Sequence, residues 1–222
     1  MPRTSHSQRI HEDFLNRIQR GEVRPSDRLV DTTIAAELGV SRMPVREALQ
    51  KLAHQGYLVG TSRGFKLPDL TRSEVMDVFE IRRLLEPRAA ASVTKSLDEA
   101  TLGRMRQAVA DAASTLETGD ISVFFRASEE FRNGWLESVP NAALCEAIKR
   151  NLIQVQAVRL ATMRDPSAHA VIVQGQRTLF RAFERRDALS VHDNMLSFVI
   201  MAEQAFERLV PEASPDGSAS EP

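Results

Sequence analysis

Residues 38–49 constrain the fold of this chain more than any other segment, with the sequence Leu-Gly-Val-Ser-Arg-Met-Pro-Val-Arg-Glu-Ala-Leu. A glycine ends one short helix, and Ser41 is placed to cap the next, because its hydroxyl can accept a hydrogen bond from a free amide of the first turn. Arg42 and Arg46 share one face of that helix, and Val45 begins the opposite, apolar face. The pattern predicts a helix-turn-helix with a positively charged N-terminus directed at DNA, rather than an ordinary amphipathic surface helix.

The flanking residues extend this motif into a small domain. Apolar periodicity and turn residues predict helices over 5–20, 31–38 and 42–55. Two short strands are then predicted, 57–59 and 65–67, joined by a turn from Gly60 to Gly64. Three helices followed by a hairpin are typical of a winged helix-turn-helix.

The rest of the chain carries helix signals and no strand signal. Capping boxes begin at Thr71 and Ser96, and Asp120 is placed to cap a further helix. Helices are also predicted over 141–163, 167–185 and 188–209. The predicted fold is therefore mainly α, with the winged unit at the N-terminus and an all-helical bundle after it. We expect a DNA-binding domain over 1–68, a linker over 69–71, a helical effector-binding and dimerisation domain over 72–210, and a disordered tail over 211–222.

Charge separates the two halves. Residues 1–70 contain 11 Lys and Arg against 8 Asp and Glu, whereas the remainder contains 18 against 22. The N-terminal half therefore tolerates a polyanion better than the rest does. A single cysteine, Cys145, excludes an internal disulfide and a cysteine-based zinc site, and no signal peptide or apolar run of about 18 residues is visible. We expect a cytoplasmic protein without membrane contact.

The DNA-binding half closely resembles the GntR superfamily of transcription regulators, through residues 38–42, 44–49 and the glycines at 21, 56 and 64. The resemblance implies DNA contacts from Thr32, Ser41, Arg42, Met43, Pro44, Arg46, Arg63 and Gly64. Within that set, Arg42 and Arg46 take positions that contact phosphates and a guanine. Gly64 at the wing lets the backbone approach the minor groove. The side chain of Arg63 either enters that groove or extends into solvent.

The second half resembles the helical FCD effector domain of the FadR-like subfamily, through residues 80–87 and 186–188 and the region around Phe131. Many FCD domains hold a divalent metal through one aspartate and three histidines. The resemblance places those four ligand positions at Ser128, Arg132, Gln176 and Phe198. Because these residue types bind zinc poorly or not at all, we expect no metal and no other cofactor.

The replaced positions lie on apolar helical stripes and predict an internal pocket. We expect effector contacts from Arg82, Ser128, Arg132, Trp135, Gln176 and Phe198. Two arginines on core-facing stripes need partners. One possibility is an internal ion pair with a nearby glutamate, for which Glu86, Glu129 and Glu130 are candidates. A second is that the long side chains extend to solvent. A third is that Arg132 binds an anionic effector through its bidentate guanidinium.

These features favour a sequence-specific transcription regulator, most simply a repressor, that binds a short inverted repeat as a homodimer. A small organic acid in a metal-independent pocket would control its affinity for DNA. The alternative is a regulator whose C-terminal bundle dimerises and binds no effector. An enzyme is disfavoured, because no phosphate-binding loop or nucleophile–base arrangement is recognisable.

Overall fold

The computed structural model describes residues 5–154 and 162–210. The elements run in the order α1 (His6–Arg20), α2 (Asp31–Leu38), α3 (Arg42–His54), β1 (Val59–Thr61), β2 (Gly64–Lys66), α4 (Arg72–Val93), α5 (Glu99–Thr118), α6 (Ile121–Leu136), α7 (Ala142–Gln154), α8 (Pro166–Glu184) and α9 (Ala188–Leu209). The predicted class is confirmed, since the chain is mainly α with a three-helix, two-strand unit at its N-terminus. No helix of the described ranges is long and apolar enough to cross a membrane.

The N-terminal unit, residues 5–66, is built on the apolar face of α3. Val45, Ala48, Leu49 and Leu52 are fully buried there. Helix α1 packs across this face with Phe14 and Ile18, and α2 packs beside it. Because burial takes up one face of α3, its polar face is left on the surface of the molecule.

The first strand of the wing is displaced from the prediction by two residues, and the second, predicted over 65–67, by one. Its strands pair Val59 with Lys66 and Thr61 with Gly64, so the expected strand over 57–59 is wrong. Tyr57 and Leu58 are instead buried in the core, where burial of their apolar area stabilises the fold. Gly64 has a φ of +109°, and a Cβ on it would lie 2.5 Å from the carbonyl oxygen of Leu29.

Side-chain caps fix most of the helix starts in the bundle. The capping box at Thr71 is present in full and begins α4. The box predicted at Ser96 is wrong, because Asp98 caps α5 by accepting from the amide of Thr101. Asp120 caps α6 as expected. The carboxylates of Asp98 and Asp120 also interact favourably with the positive ends of the helix dipoles.

Helix α4 packs against α9, α9 against α8, and α5 against α6 and α8. The core between them is aliphatic with a few large aromatics, including Phe131, Trp135 and Phe183, each at most 2% exposed. The predicted helix over 141–163 is observed as α7 up to residue 154, and the stretch 155–161 lies outside the described residues. The predicted disordered tail, 211–222, lies outside them too.

The N-terminal unit and the bundle share apolar packing. The core around Phe14 and Tyr57 continues into Phe124 and Phe125 of α6, so the boundary expected at residue 68 stays a prediction. Gly56 has a φ of +80°, and a Cβ there would lie 2.0 Å from the carbonyl oxygen of Ile153 in α7. A glycine at this point therefore lets the backbones of the two parts meet.

Candidate functional site

The residues predicted to contact DNA lie around the start of α3 and on the wing. Most of them are exposed: Thr32, Ser41, Arg42, Met43, Arg46 and Arg63. Pro44 and Gly64 are half-buried. Met43 is 62% exposed, which places its side chain on the same surface as the arginines. The helix N-terminus that these side chains surround is a favourable place for a phosphate.

Ser41 caps α3 in a different way from the prediction. Its backbone is extended, with a φ of −69° and a ψ of 158°, as an N-cap requires. Its hydroxyl, however, makes no capping hydrogen bond, so the predicted bond to a first-turn amide is wrong. The first-turn amides and the hydroxyl are both left for an external acceptor or for water.

An acidic residue beside the arginines was missed by the sequence analysis. The Nε group of Arg42 donates a hydrogen bond to Oδ2 of Asp31 over 2.9 Å. Asp31 is the first residue of α2 and only 9% exposed. Eleven residues separate the two side chains, and no local spacing rule connects them, because the turn at Gly39 sets their distance.

A cavity lies inside the bundle between α4, α6, α8 and α9. All six residues predicted to contact an effector line it: Arg82, Ser128, Arg132, Trp135, Gln176 and Phe198. Thr162 and Met163 close it between α7 and α8. The centres of water-sized molecules can occupy about 60 Å³, where one bound water needs about 10–15 Å³. The cavity can therefore hold a small molecule or several waters.

Arg82 on the cavity wall already has a partner. Its Nε donates to Oε1 of Glu86 over 2.6 Å, and both side chains are buried. Its guanidinium also lies 5.2 Å from the ring centre of Phe79. The internal ion pair, one of the alternatives raised from the sequence, is therefore observed for Arg82. The positive charge of Arg82 is therefore largely balanced by the carboxylate of Glu86.

Arg132 differs from Arg82, since no described residue forms an ion pair or hydrogen bond with it. Glu130 lies near Arg104 instead, at 3.9 Å. Burial lowers the pKa of Arg132, while the charges of Glu129 and Glu86 raise it and oppose the shift. A guanidinium stays protonated in proteins. The positive charge of Arg132 therefore lies on the cavity wall without an ion-pair partner among the described residues.

Two further polar groups of the cavity also lack described partners. The hydroxyl of Ser128 and the Oε1 atom of Gln176 are buried and make no hydrogen bond with any described residue. A buried polar group without a partner costs about 1–3 kcal/mol. Together with Arg132, they form a polar patch in a cavity that apolar side chains and the Arg82–Glu86 pair also line, and a few polar groups among apolar ones are usual in a small-molecule site.

The four positions that the resemblance to FCD domains assigns to metal ligands line this cavity. They present a hydroxyl, a guanidinium, an amide and a phenyl ring, from Ser128, Arg132, Gln176 and Phe198. This donor set does not fit a divalent cation, since the guanidinium would repel it and the phenyl ring supplies no donor. Within the described ranges, no three His, Cys, Asp or Glu residues are grouped so that they could hold a metal.

Polar contacts connect residues next to the cavity lining with the N-terminal unit. The hydroxyl of Tyr57 donates to Oε1 of Glu129, which lies between Ser128 and Arg132 on α6. Arg164, next to the cavity residue Met163, donates from its guanidinium to the backbone carbonyls of Ile18 and Gln19 at the end of α1. Burial lowers the pKa of Arg164.

Comparison with known proteins agrees with both parts of the chain. Residues 6–64 match the family described as bacterial regulatory proteins, gntR family, and residues 77–199 match the FCD domain. The chain is 26% identical to the HTH-type transcriptional regulator McbR of Escherichia coli (strain K12), over 68% of each chain. It is 29% identical to the gluconate operon transcriptional repressor of Bacillus subtilis (strain 168), over 66% of this chain and 57% of that one.

The fold has a counterpart among solved structures. The structure of Escherichia coli McbR superposes with a TM-score of 0.73 at 20% identity, covering 92% of this chain and 98% of that one. The families matched are those of DNA-binding transcriptional regulators rather than of enzymes. This chain belongs to the GntR family of bacterial transcription regulators and carries an FCD domain.

Proposed function

We propose that this regulator is a homodimeric repressor that binds a short inverted repeat through α3 and the wing. In this proposal, a small organic acid in the bundle cavity controls its affinity for DNA, without a metal. The observation that carries the effector part is the cavity in which the guanidinium of Arg132 meets two buried polar atoms without described partners.

The exposed polar face of α3 supports the DNA part. Arg42 and Arg46 lie on that face, and Ser41 precedes it with a hydroxyl that makes no capping bond. Phosphate contacts would fix the position of the helix on the duplex, and an arginine bound to N7 and O6 of guanine would discriminate bases by about 1–3 kcal/mol. One such unit contacts few base pairs, so two units on an inverted repeat supply the remaining specificity.

The chemistry of the cavity supports an anionic ligand. A carboxylate accepts two parallel hydrogen bonds from a guanidinium, which is the strongest pairing that Arg132 can make. Gln176 and Ser128 can bond the same carboxylate or a neighbouring polar group. Trp135 and Phe198 contact the apolar part of the ligand. The positive charge of Arg132 thereby takes the place that a cation occupies in the metal-binding relatives of the family.

The junction contacts support transmission from the cavity to the DNA-binding unit. Arg132 borders the cavity and also a cleft at the junction, which Gln55, Tyr57 and Glu129 line as well. A carboxylate bound to Arg132 would reduce the attraction of its guanidinium for Glu129, the acceptor of the Tyr57 hydrogen bond. Ligand binding then changes a contact that fixes α3 against the bundle, which is the differential interaction that a population shift requires.

The alternative function, a bundle that dimerises and binds no effector, predicts a solidly packed interior. The cavity and its polar patch favour the effector-binding function over this one. Thermal unfolding discriminates between them, because a ligand at 100 times its dissociation constant stabilises the folded state by about 2.7 kcal/mol. Acetate, lactate, succinate, citrate and benzoate, each with EDTA or with added zinc, are suitable probes.

The DNA part is tested with duplexes that the wild-type protein selects from a random pool. Arg42→Ala should abolish sequence-specific binding without unfolding the protein, because the side chain is more than half exposed and its loss frees only the carboxylate of Asp31. Specific binding by this variant at wild-type affinity would contradict the proposed contact.

The effector part is tested with Arg132→Leu. This variant should still bind the selected duplex, and it should lose the response of duplex affinity and of melting temperature to the stabilising acid. Arg126→Leu is the matched control, since Arg126 is an exposed arginine of the same helix. A normal response of the Arg132 variant, or stabilisation by zinc alone, would overturn the metal-independent site.

A further inference from the structure

The contact between Asp31 and Arg42 joins the first residues of two successive helices. Asp31 begins α2, and Arg42 begins α3. The side chain of Asp31 is 12% exposed, whereas that of Arg42 is 56% exposed. The carboxylate is thus largely enclosed, and the guanidinium that it holds is largely open to the surface.

The atoms used in this contact determine what Arg42 has left to offer. Its Nε–H is bonded to the carboxylate, and no bond of its two terminal amino groups is formed within the described part of the chain. A guanidinium can bind N7 and O6 of guanine either through its two terminal nitrogens or through Nε and one of them. With Nε engaged by Asp31, the two terminal nitrogens are available for the bidentate contact.

The position of the Asp31 carboxylate disfavours DNA binding unless the carboxylate helps to orient Arg42. Asp31 lies beside a surface that is directed at phosphates, where a negative charge opposes binding. It also lies in the first turn of α2, where an acidic residue favours the helix dipole by about 0.3–1 kcal/mol. A purely structural role of this kind would not depend on which base Arg42 contacts, so the two roles can be separated experimentally.

We propose that Asp31 is a positioning residue that sets the guanine preference of Arg42. By holding Nε, the carboxylate restricts a flexible side chain to the orientation in which both terminal nitrogens face one base edge. This inference rests on the proposed function, since it requires that Arg42 contacts guanine. Loss of the carboxylate should therefore lower specificity and not overall affinity.

The test uses the wild-type-selected duplex with each guanine replaced in turn by 7-deazaguanine, which lacks the N7 acceptor. Wild-type protein should lose about fivefold to tenfold in affinity at one position of each half-site. Asp31→Asn should reduce that loss to less than twofold and bind random-sequence duplex at least as well as the wild type. Asp31→Glu, which keeps the charge, should restore part of the discrimination.

Glu37→Gln is the matched control, because Glu37 is an exposed acidic residue on α2 and its substitution changes the net charge equally. It should keep the full 7-deazaguanine effect. Melting temperatures of all variants, measured in parallel, identify any loss of folded protein.

The outcomes separate this inference from the proposed function. Arg42→Ala removes every donor of the guanidinium, and a full 7-deazaguanine effect in this variant would show that Arg42 does not contact guanine, which overturns both. If Arg42→Ala loses the effect but Asp31→Asn retains it in full, the positioning role of Asp31 is wrong and the DNA contact stands. An Asp31→Asn variant that loses specific and random-sequence binding in parallel also overturns the positioning role.

Discussion

The hydroxyl of Tyr57 donates a hydrogen bond to Oε1 of Glu129 over 3.4 Å and thereby joins the segment after α3 to α6, the helix that carries Ser128 and Arg132. Tyr57 follows α3 directly after Gly56, and its ring packs 6.1 Å from that of Phe125. Glu129 is one residue from Ser128 and three from Arg132. A change at the cavity is thus one contact away from the DNA-binding unit.

Tyr57→Phe should weaken the coupling between effector and DNA. The ring and its packing stay, while the hydroxyl that contacts Glu129 is lost, so the fold and DNA binding without effector should change little. The effector-induced change in duplex affinity should fall by about threefold, because a long hydrogen bond of 3.4 Å contributes near the lower end of about 0.5–1.5 kcal/mol. Titration of labelled duplex with and without the stabilising acid measures this, and an undiminished response would argue against this route.

Arg82→Leu should destabilise the protein by about 3–5 kcal/mol, because it leaves the buried carboxylate of Glu86 without its partner. Replacing both residues, Arg82→Leu with Glu86→Leu, should recover most of that loss. Urea denaturation of the two single variants and the double variant gives the coupling energy. Additive effects would show that the two charges do not depend on each other.

Stability should decrease as the pH falls below about 6.5, in part because of His169. Burial lowers the pKa of this histidine, whose ring stacks on Phe124 at 3.8 Å and whose Nε2 lies 2.8 Å from the hydroxyl of Thr115. That hydroxyl donates to the carbonyl of Ala112, so the neutral ring donates from Nε2. Below the ordinary pKa the unfolded chain takes up a proton that the folded protein resists, and the free energy of unfolding therefore falls.

The contribution of His169 is isolated by comparing variants between pH 5 and 7.5. His169→Gln should flatten the pH dependence of the free energy of unfolding by up to about 1.4 kcal/mol per pH unit. Hydrogen bonds also lower the pKa of the capping carboxylates Asp98, Asp165 and Asp187, and this contribution cancels between variants. Equal slopes in wild type and His169→Gln would contradict the prediction.

Gly56→Ala should destabilise the protein by about 1–3 kcal/mol or more. The added methyl would lie 2.0 Å from a backbone oxygen of α7, and a φ of +80° is strained for alanine. Gly60→Ala is the control, because nothing lies within 4 Å of its Cβ position. The urea midpoints of the two variants should differ clearly. Similar midpoints would mean that the backbone at Gly56 and α7 can move apart without a loss of stability.

Local signals in the sequence were sufficient for the helices and for the family. The limits of α2 and α9 were predicted to the residue, because a turn or a capping aspartate marks each start and the apolar periodicity persists to the end. The first strand of the wing was predicted too early in the chain, because the burial of Tyr57 depends on packing against residues far away in the sequence. The cap of α5 was predicted at Ser96 rather than Asp98 for the same reason.

The sequence by itself determined which residues lie on which helix face, and therefore that Arg132, Gln176 and Phe198 point inward. Only the tertiary structure decided that these faces meet in one cavity, that Glu86 neutralises Arg82 while Arg132 has no described ion-pair partner, and that Asp31 reaches Arg42. The physical reason is that periodicity follows from backbone geometry within one helix, whereas ion pairs and cavities depend on distances between helices, which packing of the whole chain sets.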